Sequence, residues 1–204
     1  MKNYLMLNDK RIDLTDAQVR EIEQSFNFNR IRLSEVAVGE TFKIEDREFV
    51  VLEHKEGTTA IILKGLLPEM STFGENNNFA DDGCVIREKL VEFASKIGAI
   101  VGEDNLLEHS VDLTSDDGRE DYGTVKAKMS ILTCELYRKF VRILDKYDPK
   151  EWWWLVTPYS TPTHGDSSWI KCVSPTGGIL NGNYDVNRGV RPFCILKSNI
   201  FVSK

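Results

Sequence analysis

The chain has no long apolar run. Nowhere in its 204 residues does a stretch approach the roughly 20 apolar residues that a helix needs to cross a bilayer, so no membrane role is expected. The first residues, MKNYLMLNDKR, lack the apolar core and small-residue cleavage site of a secretory leader, which points to the cytosol. An excess of basic charge is also missing. There are 26 Lys and Arg against 32 Asp and Glu, a net charge of -6. Duplex nucleic acid demands a basic face that displaces counterions, so that partner class is not expected, whereas a basic protein surface is open to it. Cysteine is sparse and never occurs as C-x-x-C. Cys84, Cys134, Cys172 and Cys194 read as reduced, buried thiols, although Cys172 and Cys194 both fall in apparent strands and could be neighbours. His54, His109 and His164 show no H-x-x-H or H-E-x-x-H spacing, and no zinc tetrad forms. G-x-S-x-G, P-loop and G-x-G-x-x-G motifs are absent as well. No catalytic residue, metal or cofactor is therefore assigned.

What remains is the profile of a globular chain, 41% hydrophobic and 28% charged, long enough for one large domain and an appendage. The appendage is placed at 1–32. YLMLNDKRIDL has two short apolar stretches around Asn8 and Asp9, a hairpin signal. Thr15 with Gln18 makes a capping box, Leu14 can staple against Val19, and Val19, Ile22 and Phe26 follow at helical spacing. Such a helix packs on the main body or on a partner. The main domain is placed at 33–204. VAVGETFKI, REFVVLEH and TTAIILK read as an antiparallel meander of strands. A helix from about Val85 turns Ile86, Leu90, Phe93 and Ile97 to one face, with Asp82 or Gly83 as its cap. A second helix after Thr133 presents Leu136, Phe140, Ile143 and Tyr147 inward and stops before Pro149. WWWLVTP, SSWIKCVSP, GGILNG and GVRPFCIL then return to strands. Strands, helix, loop, helix, strands make an α+β fold with one mixed or antiparallel sheet, two main helices and long loops.

Three segments invite chemistry. Between positions 103 and 121 stand eight carboxylates and one arginine. This is a solvated acidic loop, a calcium or magnesium site, or a docking loop for a basic partner; an EF-hand frame fails, because Gly118 at its sixth position puts Leu113 first and Thr124 twelfth. Cys134, at a helix start, could form a thiolate pair with His109, although nothing in the sequence brings them together. Finally, TPYSTPTHGDSSW and NGNYDVNRG carry the Tyr, Ser, Asn and Gly of adaptable binding loops, and the same residues also make ordinary turns. The candidate binding residues are Tyr159, His164, Trp169, Asn181, Asn183, Tyr184, Asp185, Asn187 and Arg188.

WWWLVTP, a strand ending in KCVSPTGG and a closing GVRPF, preceded by VGETFKIEDREFVVLEH, resemble a domain of unknown function found in phage and bacterial mobile-element proteins. That domain shows W-W-L-R-[ST]-P, a terminal G-V-R-P and an early V-G-[DE]-T-F. The resemblance spans Val38 to Leu196 and implies a C-type-lectin-like scaffold, related in architecture to formylglycine-generating enzymes, that displays a binding surface. Val156 stands where the motif has arginine. The E-P-N, Q-P-D and W-N-D triplets of calcium-dependent lectins are absent, and no cysteine pair for formylglycine-type oxidation is evident. The function implied is a non-enzymatic phage or mobile-element protein that binds a host or phage protein in the bacterial cytosol, for example to inhibit a defence system. The alternatives are a virion tail or decoration component and an enzyme with a dispersed or metal-assisted site.

Two features of this chain have a physical reading inside that scaffold. Arg191 must be held by buried carbonyls or a carboxylate, because an unpaired buried guanidinium is costly. The three tryptophans Trp152, Trp153 and Trp154 cannot share one face of a strand; Trp153 is expected on one side and its two neighbours on the other, all largely covered, leaving Tyr159 as the ring that meets a partner.

Overall fold

Two distant parts of the chain meet in one ladder: β3 (Arg30–Arg32) pairs antiparallel with β15 (Phe201–Ser203). The computed structural model describes residues 4–7, 10–18 and 30–204. In the N-terminal part, β1 (Tyr4–Leu7) and β2 (Lys10–Asp13) form the expected hairpin, with Leu7 opposite Lys10. A helical turn begins after Thr15. The Thr15 N–H donates to Gln18 Oε1 over 3.0 Å and the Gln18 N–H donates to Thr15 Oγ1 over 3.3 Å, which is the reciprocal capping box. Val19, Ile22 and Phe26 lie outside the described residues.

The main sheet has β4 (Thr41–Ile44), β5 (Arg47–Lys55) and β6 (Thr58–Leu63) as its meander. Its β-branched and aromatic residues suit a pleated, covered surface. Glu56 and Gly57 take φ values of 49° and 79°, the left-handed pair that lets a two-residue turn join twisted strands. The sheet continues from β6 to β14 (Phe193–Lys197), and β14 is flanked on its far side by two short strands, β7 (Leu106–Leu107) and β10 (Met129–Ser130). On the other side the order runs β5, β4, β15, β3. A three-stranded sheet of β11 (Trp153–Pro158), β12 (Trp169–Val173) and β13 (Ile179–Asn183), and a hairpin of β8 (His109–Asp112) and β9 (Thr124–Ala127), complete the α+β fold. Several antiparallel sheets therefore replace the single sheet expected. The 103–121 segment is not all loop, since β7 and β8 lie within it. Residues 36–40 precede β4 as turn rather than strand, the N–H of Gly39 reaching the Val51 carbonyl.

Helix α1 (Val85–Val101) buries Ile86, Leu90, Phe93 and Ile97, as its spacing predicts. Its cap is Cys84 rather than Asp82 or Gly83, with no side-chain cap bond; the neighbouring Asp81 accepts instead from the Gly83 N–H. Helix α2 (Cys134–Leu144) is capped by Thr133, which accepts from the Leu136 N–H. Its inward stripe is Tyr137, Phe140 and Leu144, with Leu136 and Ile143 only partly covered. The stripe rotates toward Tyr137 because that ring packs edge-on against Trp153, 5.6 Å between centroids, and its hydroxyl donates to the Gly177 carbonyl over 2.7 Å.

The three tryptophans alternate as the pleat requires. Trp154 is fully buried in one cluster with Phe73, Val156, Ile170 and Cys172, and Trp152 packs against the same cluster. Trp153 is buried in the other, with Leu155, Val173, Tyr137 and Phe140. Arg191 is 1% exposed. It donates to the carbonyls of Leu63, Lys64 and Tyr147 over 2.9–3.0 Å and lies 5.3 Å from the Trp153 ring centroid. Burial lowers its pKa to about 10, so it stays charged at neutral pH. All four cysteines are free and buried, and Cys172 and Cys194 belong to different sheets. Among the described residues no helix is long and apolar enough to cross a membrane.

Candidate functional site

Strand β12 sets two faces. Ile170 and Cys172 enter the core beside Trp154. Trp169 and Lys171 point the other way, opposite Asn183 and Asn181 of β13. The inner end of that second face, at Val173 and Trp153, belongs to the cluster that holds Tyr137 and Phe140 of α2. The outer end is open. Tyr159 follows β11, and its N–H donates to the Trp169 carbonyl over 3.0 Å. Both rings are well exposed, Tyr159 at 40% and Trp169 at 39%.

Lys171 is the fixed point of this surface. It is only 9% exposed, and a buried ammonium requires a partner. Its Nζ lies 2.6 Å from Asp116 Oδ2 and 5.4 Å from the centroid of the Tyr159 ring. Arg138 of α2 approaches the same carboxylate at 3.9 Å. Two aromatics, two amides and a shielded ion pair thus share one patch.

Behind the patch, loops are tied together by polar groups with few alternatives. Asn77 is fully buried. Its amide donates to the carbonyls of Ser160 at 3.0 Å and Trp169 at 2.8 Å, its oxygen accepts from the Tyr122 hydroxyl at 2.7 Å, and its N–H donates to the Ser167 carbonyl at 3.2 Å. The acidic segment contributes the remaining ties. Ser160 Oγ donates to Asp117 Oδ2 over 2.7 Å, Thr161 Oγ1 donates to Asp121, and the Asp116 N–H donates to the Pro158 carbonyl over 2.8 Å. The hydroxyls of Ser115 and Ser160 hold Asp117 below the usual carboxylate range, and those of Thr161 and Thr163 do so for Asp121. These carboxylates are acceptors that fasten the 158–168 loop. No group of His, Cys, Asp and Glu among the described residues is arranged to hold a metal ion.

The other candidates are dispersed. His164 is exposed on the short turn Pro162–His164. Asp185 and Asn187 are exposed beyond β13. Tyr184 is half-buried against the core, with its N–H on the Ser168 carbonyl and its carbonyl accepting from Phe73. Arg188 passes to the opposite face of the β12–β13 hairpin, over the Trp152 ring. Tyr159, Trp169, Asn181 and Asn183 therefore form the group, and Arg188 stands apart from it.

A nucleophilic reading of Cys134 finds little in the geometry. The Cys134 N–H donates to Thr157 Oγ1 over 2.9 Å, and the residue lines a small cavity of about 120 Å³ with Asp112, Asp116, Glu135 and Arg138. Burial pushes its thiol above the ordinary value, the wrong direction for a thiolate. His109 is engaged elsewhere, with Nε2 2.9 Å from Ser130 Oγ and its ring edge-on to Phe193. Sequence reasoning missed Lys171, Asn77 and Asp116. The alternation in WIKCV puts Lys171 on the face of Trp169 and could have found it, whereas ENNNF carries no pattern that singles out Asn77. No known protein family, curated protein or solved structure matches the chain.

Proposed function

We propose that this protein is a non-enzymatic binding module that engages a protein partner through Tyr159, Trp169, Asn181 and Asn183. The observation that supports this most is the pair of exposed rings set around the shielded Lys171–Asp116 ion pair. Rigid aromatic anchors lose little conformational entropy on binding, and neighbouring amides add adaptable hydrogen bonds. The Asn77 ties favour the same reading, because a surface held in shape before contact loses less freedom in the complex. The finer reading is a C-type-lectin-like scaffold of phage or mobile-element origin whose partner belongs to a bacterial defence system. The ordered VGETF, WWWLVTP and GVRPF segments support it.

The test is affinity capture from bacterial lysate with the native chain and with the Tyr159→Ala/Trp169→Ala variant. Both rings are exposed, so thermal stability should change little. A partner retained by the native chain and lost by the variant is the expected result. A partner held equally by both would overturn the assignment of this face.

A further inference from the structure

The far side of the β12–β13 hairpin carries a cation with no counter-charge among the described residues. Arg188 is only partly exposed. Its guanidinium carbon lies 4.3 Å from the Trp152 ring centroid and 5.3 Å from that of Trp154. Its Nε is buried with no hydrogen-bond partner, and no carboxylate among the described residues forms an ion pair with it. Arg191, which is fully buried, donates to three carbonyls. Arg188 is seated just as closely: a Cβ on Gly182 would lie 2.7 Å from its Nε, so the glycine makes room for it. Its backbone is fixed by reciprocal bonds with Ser71, of 2.8 and 3.0 Å.

Two indoles over a guanidinium return only about 0.5–2 kcal/mol, and they leave the in-plane N–H groups unused. The Nε–H is closed off beside Gly182, and the two terminal nitrogens form the fork that fits a carboxylate. The surroundings are apolar and open. Leu180, two residues from Gly182 on the same face of β13, is 49% exposed, and Val186 and Met70 are also exposed. We infer that the Trp152–Arg188 stack receives the carboxylate of an acidic side chain in a partner protein, with Leu180 and Val186 taking up apolar neighbours of that residue. This surface is separate from the Tyr159–Trp169 face and stands or falls independently of it.

Selection of short, C-terminally amidated random peptides against the intact protein tests the inference. The expected result is enrichment of Asp or Glu beside an apolar residue, with affinity reduced more than about tenfold in Arg188→Gln. Arg188→Lys should recover little of it, because lysine lacks the fork. Leu180→Glu, at an exposed position that puts no burden on folding, should supply Arg188 with an internal carboxylate and abolish the selection. Tyr159→Ala/Trp169→Ala should leave it intact. Selection without acidic residues, unchanged affinity in Leu180→Glu, or loss of the same peptides in the Tyr159/Trp169 variant would each overturn the inference.

Discussion

Asn77 and Trp169, 92 positions apart, are joined by a 2.8 Å hydrogen bond from the Asn77 amide to the Trp169 carbonyl. The exposed Trp169 ring is therefore positioned by a residue with no access to solvent. Removing the Asn77 side chain leaves the buried Ser160 carbonyl without its partner, at a cost of about 1–3 kcal/mol, and takes one of two donors from the Trp169 carbonyl, which keeps the Tyr159 N–H. Asn77→Ala should lower stability by about 1–3 kcal/mol in urea unfolding and speed amide exchange across 160–169. Unchanged exchange there would mean that the loop holds itself.

The two buried tryptophans should respond differently to the same substitution. Trp154 Nε1 donates to the Ser71 carbonyl over 2.9 Å, whereas Trp153 Nε1 is buried without a partner. Phenylalanine removes a bond in the first case and an unsatisfied donor in the second. Trp154→Phe should therefore be the more destabilising, by about 1 kcal/mol beyond the shared loss of volume. Equal denaturation midpoints would remove the distinction.

His109 makes stability depend on pH. Burial lowers its pKa from 6.5 to about 4, aided by Lys126. Above pH 6.5 neither the folded nor the unfolded chain protonates it. Below that, the unfolded chain binds a proton that the folded chain refuses until about pH 4. Its contribution is full above 6.5, falls through this window and levels off below it, a change on the order of 3 kcal/mol. His109→Gln should lose less stability than the native chain between pH 7 and 4. Parallel curves for the two proteins would count against a buried neutral ring.

Much of the fold is legible in the sequence, for identifiable reasons. The meander shows because REFVVLEHK is β-rich and its turns fall at Glu45-Asp46 and Glu56-Gly57. The cap at Thr133 shows because a hydroxyl before an apolar-periodic run satisfies a free N–H. Other elements leave no such trace. β8, HSVD, has one buried apolar residue and sits among carboxylates, so composition hides it. β3 and β15 are three residues each and become strands by pairing with each other and, for β15, with β4. Tyr137 displaced Leu136 from the inward stripe because its neighbour is Trp153, a partner that helical spacing does not reveal. At the candidate site, loop composition points to Tyr159 and Trp169, which share the exposed end of one face. Lys171, beside the Tyr159 ring, is less legible because a charge in a strand is ordinarily assigned to solvent.

The sheet order has a consequence for how the chain comes to be folded. β15 lies between β4 and β3, so a strand beginning at Phe201 is wedged between two that precede position 45. During synthesis the earlier strands emerge first and find the slot between them vacant. Among the described residues β3 has no other neighbour in the sheet, so it waits for that partner until nearly all of the described chain has left the ribosome. Closing so long a loop makes late, slow completion the rule for this topology. The nascent protein would thus spend its longest interval with that edge of the sheet unfilled, the state in which a chaperone or a stray strand finds its opportunity.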